Sequence, residues 1–105
     1  MIFRESMKQL VVACDHAAVE LKDHLLRTNP DLPWKDLGVH SKDPVDYPDV
    51  VDKLVPLIKP PVSVGLLICG SGQGMAIRAN RYPHIRAALC WNEDVARMAR
   101  AHNDA

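Results

Sequence analysis

The chain has 105 residues, 48% hydrophobic and 25% charged, with a formal net charge of zero. That length fits one domain with a proper core, and the composition is ordinary for a soluble globular protein. With no basic patch, neither nucleic acid nor an anionic membrane is an expected partner. No apolar run approaches the ~20 residues of a membrane span. Residues 1–6 lack the apolar core of a signal peptide, and Met7 offers an alternative start. The three cysteines form no Cys-x-x-Cys pair. They read as free thiols of a reducing compartment, so a cytoplasmic location is expected.

Along the chain, apolar runs alternate with helical patterns. Gln9-Leu10-Val11-Val12-Ala13-Cys14 reads as a buried strand. Ala18, Leu21, Leu25 and Leu26 then recur at helical spacing up to Thr28, and Asn29-Pro30-Asp31 breaks the pattern. Residues 33–37 suggest a short, weak strand closed by Gly38. Asp46 is placed to cap the next helix, with Pro48 in its first turn. Val50, Val51, Leu54, Leu57 and Ile58 form the apolar face of that helix. Pro56 should distort its last turn, and Pro60-Pro61 should end it.

Ser63–Ile68 is the clearest strand. A glycine-rich turn follows, Cys69-Gly70-Ser71-Gly72-Gln73-Gly74, and then a helical pattern to about Arg81. Residues 85–90 read as a fourth strand. Asn92 should cap a fourth helix, with Glu93 and Asp94 in its first turn and Arg97 and Arg100 toward its end, as the helix dipole favours.

Four strand–helix units in a row imply an α/β fold, a three-layer α-β-α sandwich on a Rossmann-like parallel sheet. Ligands of such sheets bind at the carboxyl ends of the strands. Cys14-Asp15-His16, Cys69-Gly70-Ser71 and Cys90-Trp91-Asn92 all fall there, and His102-Asn103-Asp104 would join them if a fifth strand followed. The chain stops at Ala105, so the expectation is a single domain over residues 1–105, truncated before a fifth strand and C-terminal helices.

A strand running through glycines into a helix is a ready anion cradle. A dinucleotide fingerprint would need a third glycine where Met75 stands, and no Gly-Lys-Ser/Thr follows for a P-loop. Three glycines in five residues exceed what a tight turn requires. Cys69 could be a small buried hydrophobe, the expected fate of Cys14 and Cys90. Beside a helix start, however, a thiol becomes a competent nucleophile or base. Ser71 could cap the helix or bond the sulfur. Asp15 could cap the first helix, and His16 could be a loop histidine. Side by side at the sheet's edge, the two can also handle hydroxyl protons and an anionic group. Tyr47 stands in a first helical turn from which it could reach the cleft. His24, His40 and His84 look like surface residues, and no pair has metal-ligand spacing, so no metal is expected.

Taken together, these motifs resemble the ribose-5-phosphate isomerase B family, which includes the subunits of galactose-6-phosphate isomerase. The matching pieces are Cys14-Asp15-His16, Asp46-Tyr47-Pro48, the stretch from Ile68 through Gly74 to Met75, Ala79-Asn80, Ile85-Arg86-Ala87 and His102-Asn103-Asp104. The resemblance implies aldose–ketose isomerisation of ribose 5-phosphate and ribulose 5-phosphate through an enediolate, without cofactor or metal. Family members use as base either the cysteine before the glycine turn or a glutamate directly after it. With Met75 in the later position, the resemblance implies Cys69. It further implies that Ser71 orients Cys69 and that the backbone of Gly70, Gly72 and Gly74 steadies the enediolate. Asp15 would move hydroxyl protons, and His102 would assist ring opening. Tyr47 and Asn103 would bind sugar hydroxyls, and His16 would hold the phosphate. The expected assembly is a homodimer or a tetramer, with sites shared between subunits and His102 and Asn103 supplied by the partner chain. The alternatives are a hexose-6-phosphate isomerase of the same family and a nucleotide-binding module.

Overall fold

The structure, a computed structural model, describes residues 7–105. The expectation about a leader over residues 1–6 lies outside them. The elements, in order, are β1 (Gln9–Cys14), α1 (Val19–Thr28), β2 (Trp34–Asp36), α2 (Tyr47–Leu54), β3 (Ser63–Ile68), α3 (Gln73–Ala79) and α4 (Glu93–Asn103). A short 3-10 turn, His16–Ala18, leads into α1, and another, Val55–Leu57, ends α2 where Pro56 interrupts it.

The sheet has three parallel strands in the order β2-β1-β3, with Leu10 opposite Trp34 and Cys14 opposite Ile68. β1 is central and carries the continuous apolar run that burial on both faces demands. Val11 and Ala13 pack with Val50, Val51, Leu54 and Ile58 from α2 and its extension, and with Met75 and Ala79 of α3. Cys14 faces the other way, against Ala18 and Val19 at the start of α1. Helices therefore cover both faces, the three-layer arrangement of a Rossmann-like fold. No helix among the described residues is long and apolar enough to cross a membrane.

Several expectations change. Residues 85–90 are not a strand, so the described sheet has three strands rather than four. The Asn80 carboxamide accounts for part of this: it donates to the Ala87 carbonyl and accepts from the Ala87 N–H, both at 2.8 Å. A side chain thus satisfies backbone groups that a strand ladder would otherwise use. Of the predicted apolar stripe, Ala18 is buried just before α1, Leu25 and Leu26 are half-buried, and Leu21 is 51% exposed; the fully buried residues of α1 itself are Val19 and Lys22. Lys22 is fully buried and pairs with Asp36 of β2 at 2.7 Å and with Asp23 at 3.3 Å. Asp46 sits at the α2 N-cap, yet its side chain makes no capping bond. Asn92 does cap α4, accepting from the Val95 N–H at 2.8 Å. Cys90 is exposed, against the expectation of a buried hydrophobe, whereas Cys14 is buried.

Candidate active site

The strand order makes the site. From β1 the chain crosses to β2 on one side, and later returns to β3 on the other. The loops after β1 and β3 therefore part at a topological switch point, with a crevice at their carboxyl ends. The Asp15 N–H donates to the Ile68 carbonyl at 3.1 Å, which ties the two loops together at the floor of that crevice.

Asp15 caps the turn before α1, its Oδ1 accepting from the Ala17 N–H at 3.0 Å. His16, next to it, accepts from the Val45 N–H through Nδ1 at 3.2 Å. That bond commits Nδ1 as an acceptor, so a neutral ring carries its proton on Nε2. It also brings the loop before α2, and with it Tyr47, to the end of β1.

On the other side, Cys69 directly follows β3 and is half-buried. The Gly72 N–H donates to its Sγ at 3.0 Å. The turn that allows this bond needs Gly72 at φ 79°, in the left-handed region that side chains resist. Space is short there as well: a Cβ on Gly72 would lie 2.6 Å from Leu89 Cδ1. The Ser71 hydroxyl accepts from the Gln73 N–H at 3.3 Å, a local bond within the turn that leads into α3. Gly74 lies under the Tyr47 ring, and a Cβ there would come within 2.6–2.9 Å of Cζ, Cε1 and the phenol oxygen. Tyr47 and the glycine turn are thus in direct contact, which sequence spacing did not reveal. Met75 is 1% exposed and belongs to the core.

Asp15, His16, Tyr47, Cys69, Ser71 and the glycines Gly70, Gly72 and Gly74 are gathered at one end of the sheet. His102 and Asn103 are placed differently. They lie in the last turn of α4, and both are exposed. The Asn103 carbonyl accepts from Arg86 Nε at 2.9 Å. Asn103 also lines a surface cavity of about 330 Å³ with Asn80, Arg86 and Ala87, which includes none of the residues gathered around Cys69.

Two electrostatic networks brace the elements that carry the site. The buried Lys22–Asp36 pair joins α1 to β2, and Asp36 also accepts from the Gly38 N–H at 2.8 Å. Burial opposes both charges. The mutual hydrogen bond nevertheless wins, holding Lys22 above and Asp36 below their ordinary pKa values. On the other face, Asp52 of α2 takes Arg78 of α3 through two bonds, at 2.9 and 2.8 Å, and Tyr82 Oη at 2.7 Å. The Arg78 and Tyr82 hydrogen bonds pull the Asp52 carboxyl below the usual carboxylate range. Burial raises the Cys14 thiol.

Comparison with known proteins agrees with this geometry. The family described as Ribose/Galactose Isomerase matches residues 10–105. Ribose-5-phosphate isomerase B of Escherichia coli is 34% identical over 93% of this chain and 68% of its own length. The crystal structure of a ribose 5-phosphate isomerase from Thermotoga maritima superposes with a TM-score of 0.85 at 44% identity, over 92% of this chain and 69% of that one. Ribose 5-phosphate isomerase B from Anaplasma phagocytophilum gives a TM-score of 0.87 at 43% identity, over 95% of this chain and 70% of that one. With the family matched over residues 10–105 and these relatives 34–44% identical, the chain belongs to the ribose/galactose isomerase family.

Proposed function

We propose that this chain interconverts ribose 5-phosphate and ribulose 5-phosphate, with Cys69 as the general base. Family membership makes it a sugar-phosphate isomerase; the pentose substrate and the cysteine chemistry are our reading. The observation that carries it is the Gly72 N–H at 3.0 Å from Cys69 Sγ. This bond fixes the sulfur at the mouth of a turn lined with backbone donors, in the crevice that also receives Asp15, His16 and Tyr47.

The thiolate of Cys69 takes the proton from C2 of the open-chain aldose. The released electron pair becomes the C1=C2 bond of the enediolate, and negative charge falls on O1. Backbone N–H groups of the turn other than those of Gly72 and Gln73, which bond Cys69 Sγ and Ser71 Oγ, stabilise that oxygen, with no reorganisation needed as charge develops. Cys69 returns the proton to C1 while Asp15 moves the hydroxyl proton from O2 to O1, which leaves the ketose. The reaction relocates protons and is redox-neutral, so its chemistry requires no nicotinamide.

Ser71 helps to fix the turn around Cys69. His16, with Nδ1 engaged by Val45, presents its Nε2–H to the phosphate. Tyr47 binds a sugar hydroxyl from its seat on Gly74. His102 of the partner subunit assists ring opening and Asn103 of the partner subunit binds the sugar, in a homodimer with shared sites. Three free cysteines support a reducing, cytosolic setting for this reaction.

Incubation with ribose 5-phosphate alone should yield ribulose 5-phosphate. Cys69→Ala should lower kcat by about 10²- to 10⁴-fold, and full activity in that variant would remove Cys69 from the chemistry. The family's description also covers galactose, which favours testing a hexose reading. Faster turnover of a hexose 6-phosphate than of ribose 5-phosphate would move the substrate assignment there and leave the proton-transfer scheme in place.

A further inference from the structure

We infer that Asn80 and Leu89 are positioning residues for Cys69, acting through the glycine turn. Residues 85–90 run beside the site without a strand ladder to hold them. Two features fix them instead, one at each end of α3. At its C-terminal end, the Asn80 carboxamide pairs with both backbone groups of Ala87, at 2.8 Å each. At its N-terminal end, the Leu89 side chain fills the space where Gly72 has no Cβ; a Cβ there would lie 2.6 Å from Leu89 Cδ1. Gly72 is the residue whose N–H bonds Cys69 Sγ.

The contacts therefore run from Asn80 through Ala87 and Leu89 to Gly72 and the sulfur. Asn80 and Leu89 lie outside the set that touches substrate in the proposed reaction. Their role is to keep Gly72 in its left-handed conformation, with its N–H aimed at sulfur. The effect on turnover rests on Cys69 being the base; the mechanical coupling does not. A displacement of about 1 Å at a reacting group can cost about 10²-fold in rate, so loosening this clamp should be visible in kcat.

The test is amide hydrogen exchange and steady-state kinetics on the full chain carrying Asn80→Ala, Leu89→Ala or both. In Asn80→Ala, the Ala87 and Gly72 amides should both lose protection while Val11 and Val12 of β1 keep theirs. The value of kcat should fall by up to about 10²-fold with KM nearly unchanged. The double variant should lose little more than the worse single variant, because both changes act through one segment. Protection retained at Gly72, or losses in kcat that simply multiply, would overturn the inference. If Asn80→Ala unfolds the sheet, seen as lost protection at Val11, then Leu89→Ala decides alone through the Gly72 amide. If the wild-type chain turns over no sugar phosphate yet the amide pattern appears, the functional reading fails and the clamp stands.

Discussion

Two ion pairs of nearly the same length brace this fold, and burial makes them unlike. Lys22–Asp36 measures 2.7 Å, with side chains 0% and 24% exposed; Arg78–Asp52 measures 2.8 Å, with 42% and 35% exposed. The first joins a helix to the sheet, with the lysine fully shielded from water and the aspartate only partly exposed. The second links two helices at the surface, where screening and side-chain entropy consume most of the Coulomb gain. Distance alone would rank them as equals. Desolvation separates them: removing one partner of a buried pair strands a charge, and removing one partner of an exposed pair strands almost nothing.

The largest effect is expected from Asp36→Ala. It leaves Lys22 buried with only Asp23 nearby and frees the Gly38 N–H. It should cost on the order of 3 kcal/mol in denaturant unfolding. A cost indistinguishable from that of Arg78→Ala would show the two pairs to be energetically alike.

A smaller, graded effect is expected with pH. The Asp36 pKa is lowered in the fold, so its contribution is present above the unfolded carboxylate value, about 3.9, and is lost as pH falls through the lower folded value. The Lys22 pKa is raised, so its contribution is present below about 10.4 and is lost as pH rises through the higher folded value. Stability measured against pH should fall on both limbs, and Asp36→Ala should flatten the acid limb more than Asp52→Asn does. The smallest effect is that of Arg78→Ala, which should barely move the unfolding midpoint because both partners are solvated.

The same contrast explains what could be read in the sequence. Apolar patterning located β1 and β3 to the residue, and it identified Val50, Val51 and Leu54 as the buried face of α2, with Ile58 buried just beyond its extension. It misread α1, because periodicity treats lysine as an outward residue and the partner that neutralises Lys22 lies 14 positions away in another element. The three-residue β2 was legible only as a weak strand. Residues 85–90 have a strand-like composition, yet the pairing of Ala87 is taken by Asn80, a contact that no local pattern announces. Most of the candidate site was legible, since the strand-end rule and the glycine spacing point to Asp15, His16 and residues 69–74. Tyr47 over Gly74 and Leu89 over Gly72 were not, because each contact depends on a missing Cβ meeting a side chain from a distant segment. His102 and Asn103 fell inside a helix because the α4 pattern continues through them to Asp104, which turns left-handed at φ 52°.

In the proposed reaction, Cys69 carries the proton between the two carbons of the substrate. The most direct measurement of that transfer is deuterium incorporation into ribose 5-phosphate in heavy water, followed by proton NMR. The wild-type chain should exchange the carbon-bound proton as it isomerises, and in Cys69→Ala both rates should fall together by about 10²- to 10⁴-fold. Carbon–deuterium exchange at the wild-type rate in Cys69→Ala would contradict that role.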